Sequence, residues 1–463
     1  MPAGRGRLRA WQDVRATGAR VRLEHVFLVI ALAWGVVQVF IVPPLQVPDE
    51  GDHWFRAWAM TDGQLTADRQ GMVTLPGAFA RAADLYTSLV KDNSALPVSL
   101  DGQPGFSGYE DLFNSPGPPG TVKVVSRVAS YGPVGYLPQA VGVGIGRLLD
   151  APPLTSFYLA RLANLLASIG LLFFAIRLAP FGKQLILLLA LLPMTMYELA
   201  SVSCDALTIA GAMFFTALVL WASTRARLRW IDVALVLSSA ALLLNVKPGY
   251  WALVLLVLLI RPAQLGGRGR YAAFVAANLL VVAGGFLIVY LLTGTSARVA
   301  TVGGPTSQLQ FILSQPLDFA GILWDNILHN LLAWTLETVG ILGWLAIGLP
   351  PILYVVALVG SAGLFFGMRE DVSLRGVERG LLAAVGVAVF LSMAVALYVF
   401  LEPPGSGFVF FQGRYLAPVW LVLLLSAYGV RFAPMRLGIP FIVAVELLLM
   451  LQNLQTLISA YHP

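Results

Sequence analysis

The chain has 463 residues, of which 58% are apolar and only 12% are charged. A soluble domain carries about a quarter charged residues, so this composition excludes an ordinary globular protein and indicates a polytopic membrane protein. The net charge of +6 does not indicate nucleic-acid binding, because the basic residues fall in short loops between apolar runs. The single cysteine, Cys204, excludes an intramolecular disulfide framework.

Six arginines precede the first apolar run, which extends from about residue 26 to residue 42. This order is typical of a signal sequence, but no small-residue cleavage site follows it. We therefore expect a retained membrane anchor whose arginines lie in the cytoplasm.

Apolar runs that could cross a bilayer as helices recur along the chain. We predict an all-α polytopic membrane protein with about eleven spans, or up to thirteen if the interrupted stretches 131–149 and 321–349 also cross. Alternation from a cytoplasmic N-terminus places every arginine-rich short loop inside, as the positive-inside rule requires. The predicted spans are 26–42, 155–176, 184–200, 204–222, 231–245, 249–260, 271–292, 350–367, 380–400, 415–430 and 438–458.

This topology divides the chain into six segments and leaves two long segments outside the cytoplasm. Prolines and glycines interrupt the stretch 131–149, whereas tryptophans and charged residues interrupt 321–349, and both stretches are expected to form interfacial helices within these outer segments. The six segments are a cytoplasmic N-terminus (1–25), a first transmembrane helix (26–42), an extracytoplasmic loop domain (43–154), a transmembrane helix bundle (155–292), a second extracytoplasmic loop (293–349) and C-terminal transmembrane helices (350–463).

The stretch VPDEGDHWF, residues 47–55, directly follows the first span on the predicted outer side. Asp49 and Glu50 are either polar residues flanking a helix end or a functional pair. Three prolines stiffen the approach to this pair, and a carboxylate held against apolar surroundings could act as a general base. The pair could also bind a divalent cation. His53, four residues after Asp49, could share a helical face with it and bind or orient a substrate.

Three basic residues, Arg161, Lys247 and Arg414, lie at helix ends on the same predicted side of the membrane. Charges within spans usually face the bundle interior, and arginine and lysine suit phosphate oxygens. Asp205 begins a span and either caps that helix or belongs to the site. The expected substrate-binding residues are His53, Arg161, Asn164, Asp205, Lys247, Gln412, Arg414 and Tyr415.

Seven motifs, taken in their order along the chain, resemble a known family. They are PPLQVPDEGDHWFRAW, YGPVGYLPQAVGVGIGRLL, YLARLANLL, SVSCDALT, KPGYW, GILGWL and FQGRYLAP. Together they resemble the bacterial multispanning membrane proteins called domain of unknown function 2142, over most of the chain. That family is similar to the GT-C superfamily of membrane glycosyltransferases, and the acidic stretch is similar to the motif of protein O-mannosyltransferases. By this analogy Asp49 fits the base best, and Glu50 remains the alternative.

The resemblance implies a GT-C-like bundle with a long first extracytoplasmic loop, in the bacterial cytoplasmic membrane. The implied activity is that of an inverting glycosyltransferase. It would move a sugar from a polyprenyl-phosphate-linked donor to a cell-envelope glycan or glycolipid at the outer face. Asp49 would deprotonate the acceptor, Glu50 would position the acceptor or a metal, and the basic residues would stabilise the departing phosphate. No cofactor is assigned by these residues, and a divalent cation, Mg²⁺ or Mn²⁺, stays open.

Two other functional classes stay open. A transporter or flippase of lipid-linked sugars predicts charges near the bilayer midplane and symmetry between the two halves of the chain. A non-catalytic envelope assembly protein predicts that the outer acidic residues are dispensable. Membrane lipids are expected partners in every case, whereas nucleic acid is not.

Overall fold

The computed structural model describes residues 22–68, 70–92, 109–114, 117–128, 131–295, 304–367, 374–403, 405–428 and 439–462. The arginine-rich residues 1–21 lie outside these ranges, so the expected cytoplasmic N-terminus is not among the described parts. Most of the described residues are helical. The α-helices are α1 (Leu23–Ile41), α2 (Glu50–Thr61), α3 (Ala80–Asp92), α4 (Tyr109–Asn114), α5 (Leu137–Leu148), α6 (Pro153–Leu178), α7 (Lys183–Leu191), α8 (Pro193–Leu199), α9 (Asp205–Thr224), α10 (Trp230–Val246), α11 (Arg268–Thr295), α12 (Gly304–Ser314), α13 (Pro316–Gly340), α14 (Pro351–Gly367), α15 (Gly376–Leu401), α16 (Ala417–Ala427) and α17 (Ile439–Tyr461).

Shorter elements complete the described chain. The 3₁₀-helices are Gly77–Phe79, Pro133–Tyr136, Pro248–Leu259, Pro262–Leu265 and Gly413–Leu416. Two small antiparallel sheets add to the all-α architecture expected from the sequence: β1 (Met72–Pro76) pairs with β2 (Thr121–Val125), and β3 (Ile341–Leu342) pairs with β4 (Ile347–Gly348). Both sheets lie in the segments that the sequence assigns to long loops.

Six of the described helices are long and apolar enough to cross a membrane, namely α1, α6, α9, α11, α15 and α17. The protein is therefore a multi-pass membrane protein. Four further apolar helices are shorter, and neither α5 nor α13, which occupy the two interrupted stretches, is among the six. The predicted number of about eleven spans is not confirmed.

Two of the predicted spans differ from regular α-helices. The stretch 184–200 forms α7 and α8, because Leu192 is extended and Pro193 cannot donate the next helical hydrogen bond. Except for its last residue, the stretch 249–260 lies within a 3₁₀-helix, Pro248–Leu259, which packs between α9, α10, α11 and α15. A 3₁₀-helix of twelve residues is unusually long.

Two helices form the centre of the bundle. Most of α9 is buried, and α6 packs against α1, α5 and α9. Because α6 also contacts the first loop segment, it connects the membrane core to the elements that follow α1.

Aromatic side chains anchor α2 between the β1–β2 sheet and the bundle. Trp54 is fully buried, and its ring centroid lies 4.7 Å from that of Phe79, 5.0 Å from that of Phe113 and 5.2 Å from that of Phe157 on α6. Such aromatic clusters bury large apolar areas and fix orientation. The acidic N-terminus of α2 is thereby held at one end of the bundle.

Candidate functional site

The segment between α1 and α2 has an unusual backbone. Leu45 and Asp49 adopt left-handed conformations, with φ of 68° and 62°. Non-glycine residues rarely have positive φ, and such strained residues cluster at functional sites. Only two other non-glycine residues in the described ranges share this property, Asp150 and Leu345. The packing around this segment must therefore stabilise a conformation that the chain would not adopt alone.

A buried ion pair between Glu50 and Arg161 holds the segment in place. Arg161 Nε donates to Glu50 Oε1 at 2.8 Å, and Arg161 Nη2 donates to Oε2 at 2.7 Å. The main-chain N–H groups of Leu45 and Val202 donate to the same carboxylate at 3.0 and 3.1 Å. Each oxygen of Glu50 thus accepts two hydrogen bonds, which fills its acceptor capacity.

Arg161 also completes the end of α1. The last carbonyls of a helix have no partner within it. Arg161 donates to the carbonyls of Val39 at 2.9 Å, Val42 at 2.6 Å and Pro43 at 3.1 Å. All five N–H donors of this guanidinium are therefore used by protein acceptors. This arrangement does not support the expected phosphate contact of Arg161, because no donor is left for a phosphate.

A second polar clamp holds the segment between α8 and α9. Asn164 Nδ2 on α6 donates to the carbonyls of Ser201 at 2.8 Å and Ser203 at 2.9 Å. Gln139 Nε2 on α5 donates to the carbonyl of Val202 at 3.2 Å. Asn164, predicted to bind substrate, is thus bonded to the backbone beside the site.

Arg414 connects three carboxylates from different parts of the chain. Its Nη2 donates to Asp49 Oδ2 at 2.8 Å, and its Nη1 donates to Glu198 Oε1 at 3.0 Å. Its Nε lies 3.2 Å from Asp205 Oδ2. The guanidinium also donates to the hydroxyl of Tyr415 at 3.2 Å. The acidic stretch, the α8–α9 region and the FQGRY motif therefore meet at one point.

Lys247 extends this cluster from the start of the long 3₁₀-helix. Its Nζ donates to Asp205 Oδ1 at 2.6 Å. It also lies 4.0 Å from the ring centroid of Tyr415 and 5.7 Å from that of Tyr131, within the range of cation–π attraction. Asp205 does not cap α9, because the N-cap is Cys204 and the Asp205 carboxylate faces Lys247 and Arg414.

We refer to Asp49, Glu198, Asp205, Lys247 and Arg414 as the Arg414 network. Its three carboxylates surround two cations, so each cation already has an acidic partner. Four of the five side chains are at least 93% buried, whereas the side chain of Asp49 is 41% exposed. Asp49 is thus the member of the network that solvent or a substrate can reach.

His53, on α2 in the first loop segment, lies beside the network. Its Nδ1 and the hydroxyl of Tyr136 share a hydrogen bond of 2.8 Å. Burial lowers the pKa of His53 from 6.5 to about 4, although the negative charges of Asp205 and Asp49 act in the opposite direction. His53 is therefore neutral near pH 7.

This burial predicts a loss of stability in acid. Because the folded pKa of His53 lies below its unfolded value of 6.5, its contribution is complete above pH 6.5 and is lost as the pH falls towards 4. We expect wild-type protein to lose at most about 3 kcal/mol through this residue. His53→Gln cannot titrate, so its unfolding temperature should fall less than that of the wild type between pH 7 and pH 4.5. Parallel curves would contradict the assignment.

Asp52 connects α2 to the rest of the first loop segment. Its Oδ2 accepts from the Tyr86 hydroxyl at 2.7 Å and from Arg127 Nη1 at 3.2 Å, and its Oδ1 accepts from the Arg127 N–H at 3.1 Å. Burial raises the pKa of Asp52 from 3.8 to about 6, against the lowering effect of Arg127 and Tyr86. These contacts indicate a structural role for Asp52 within the first loop segment.

The remaining expected residues have different surroundings. Tyr415 lines the network, whereas the Oε1 atom of Gln412 is buried and has no hydrogen-bond partner among the described residues. The donor set does not fit the divalent cation considered for Asp49 and Glu50, because every acceptor position of Glu50 is occupied. In the described ranges, no group of three or more His, Cys, Asp or Glu side chains has metal-binding geometry.

Sequence reasoning missed Glu198 and Tyr136. Glu198 interrupts the apolar run LLPMTMYELA, and an acidic residue inside such a run is itself a signal of function. Tyr136 carried no comparable signal, because a tyrosine among glycines and prolines has no distinctive pattern. Its contact with His53 depends on the packing of the Pro133–Tyr136 turn against α2.

Comparison with known proteins identifies a family. The model of the family described as "Predicted membrane protein (DUF2142)" matches residues 32–423, which is most of the chain. No curated protein and no solved structure matches the chain.

Proposed function

The chain belongs to the DUF2142 family of predicted membrane proteins, and on this premise we propose that it is an inverting membrane glycosyltransferase. The donor is a polyprenyl-phosphate-linked sugar, and the acceptor is a cell-envelope glycan or glycolipid. The reaction takes place at the extracytoplasmic face of the bacterial cytoplasmic membrane.

The observation that carries this proposal is the position of Asp49. It is the one partly exposed carboxylate of a buried charged network, and the left-handed backbone at this residue holds it at the N-terminus of α2. A base for an acceptor hydroxyl must be reachable and fixed within hydrogen-bond range of its target. Glu50 cannot serve in the same way, because both of its oxygens are fully bonded within the protein.

The contact between Asp49 and Arg414 marks the position at which the donor sugar would bind. Inversion places the base on the face of the sugar opposite the leaving phosphate. The donor sugar therefore binds between these two side chains. A phosphate oxygen of the donor then replaces the Asp49 carboxylate as the partner of Arg414. Glycosyl transfer has an oxocarbenium-like transition state, in which stabilisation of the departing phosphate by Arg414 and Lys247 contributes strongly.

The test is transfer by purified protein reconstituted in lipid, with a panel of radiolabelled polyprenyl-phosphate sugars and extracted envelope glycans. Asp49→Asn should reduce the rate of product formation by at least about 100-fold, since it removes the base but keeps the shape. Asp68→Asn is the matched control, because Asp68 is also a partly exposed carboxylate, with an ion pair to Lys123 at 2.9 Å. Equal rates for wild type and Asp49→Asn would exclude Asp49 as the base.

The break between α7 and α8 favours one alternative, a transporter of lipid-linked sugars. Discontinuous helices that end at buried charged groups are typical of transporters, and α8 carries Glu198. A transporter should exchange labelled lipid-linked sugar across a proteoliposome membrane without forming a new glycosidic bond. Exchange without transfer would favour this alternative.

A further inference from the structure

The hairpin formed by β3 and β4 presents an aromatic side chain at its tip. Trp344 lies between Gly343 and Leu345, both of which have left-handed backbones with φ of 60° and 63°. Trp344 itself is half-buried. A left-handed backbone is energetically unfavourable for leucine. The turn that positions the indole is therefore strained, and strain of this kind is typical of functional sites.

Two contacts fix the indole beside the acidic stretch. Trp344 Nε1 donates to the carbonyl of Leu45 at 3.2 Å, and its ring centroid lies 6.1 Å from that of Tyr86. The Tyr86 ring in turn packs over Gly51, where an added Cβ would lie only 2.5 Å from the ring. Leu45 and Gly51 flank Asp49 in the chain, and the indole contacts the first directly and the second through Tyr86.

The charges of the acidic stretch also act on this aromatic pair. Burial and then the charges of Asp52 and Asp49 raise the pKa of Tyr86 well above its ordinary value. Tyr86 is buried, whereas Trp344 retains exposed surface. The accessible part of the pair is therefore the indole, with Tyr86 as its support.

We propose that Trp344 is the acceptor subsite, on which one pyranose ring of the acceptor glycan stacks while its hydroxyl reaches Asp49. This inference rests on the proposed function. One face of a pyranose is formed by C–H groups that carry small positive partial charges. The face of an aromatic ring is negative, so the two surfaces attract, and indole offers the largest such face. Contacts of this kind select for a saccharide rather than for a simple alcohol or a lipid chain.

The experiment measures saccharide binding without any donor. Protein in lipid nanodiscs, without glycoside detergents, is mixed with methyl glycosides of glucose, galactose and mannose and with maltotriose. Saturation-transfer NMR then reports which sugar protons contact the protein. We expect wild type to saturate the C–H protons of one ring face, and Trp344→Ala to weaken binding about fivefold. Trp344→Phe should keep part of the signal. Trp324→Ala is the control, since Trp324 is an exposed indole on α13.

Binding and transfer can fail separately. The binding measurement needs neither a donor nor sugar transfer, so its outcome does not depend on the base. An equal signal from Trp344→Ala, or no signal from wild type with any of these probes, would overturn the subsite. Absence of transfer with intact, Trp344-dependent binding would instead overturn the proposed reaction. Thermal unfolding of each variant verifies that Trp344→Ala remains folded, and Trp344→Phe gives the comparison if it does not.

Discussion

Arg161→Met should lower the free energy of unfolding by about 3–5 kcal/mol, the usual cost of removing one partner of a buried ion pair. The substitution leaves the Glu50 carboxylate without its cation and three carbonyls at the end of α1 without their donor. Both losses act on the same short segment. Its left-handed residues would then lack the contacts that stabilise them. Thermal unfolding in detergent, followed by tryptophan fluorescence, measures the effect.

Companion variants identify the cause. Arg161→Lys should recover little, because an ammonium cannot reproduce five donors in a planar fork. Combining Arg161→Met with Glu50→Gln should cost less than the sum of the two single changes, since the residues form one interaction. Arg261→Met removes an exposed guanidinium paired with Glu378 and should cost less than about 1 kcal/mol. A cost for Arg161→Met as small as that of Arg261→Met would contradict the buried-pair account.

Arg414→Met should also cost about 3–5 kcal/mol, for a different reason. Glu198 is fully buried, and Arg414 is the cation paired with it. Asp205 would retain Lys247, and Asp49 could turn towards solvent. The expected loss therefore arises mainly from one uncompensated carboxylate rather than from all three.

A rescue experiment isolates that carboxylate. Adding Glu198→Gln to Arg414→Met removes the buried negative charge and should restore much of the lost stability, measured as the unfolding temperature. It should not restore sugar transfer, because the group proposed to bind the leaving phosphate remains absent. No rescue of stability would indicate that Arg414 stabilises the fold mainly through Asp49 or Asp205.

Four of the residues expected at one side of the membrane meet in the Arg414 network, but the sequence does not indicate how they pair. Asp49, Asp205, Lys247 and Arg414 were all recognisable as polar residues at the ends of apolar runs. Arg161 had the same signature, yet its partners are Glu50 and three backbone carbonyls. Pairing depends on distances between helices far apart in the chain, and a pattern of hydropathy contains no such distances.

The helix pattern was predictable to a similar degree. Composition and apolar runs sufficed to establish a helical multi-pass membrane protein, and the family resemblance is confirmed over residues 32–423. Pro193 stands within an apolar run, but hydropathy alone predicts one continuous span over residues 184–200 and does not reveal the break. The two small sheets had no alternating apolar pattern long enough to be recognised.

The 3₁₀-helix Pro248–Leu259 changes the relation between chain length and distance. Twelve residues rising about 2.0 Å each extend about 24 Å, whereas an α-helix of the same length extends about 18 Å. A segment of twelve residues in this conformation can therefore extend over most of a hydrocarbon core of about 30 Å. Lys247 lies at the start of this helix, so the charged network and Ile260, which follows the helix, are held further apart than an α-helix of the same length would hold them.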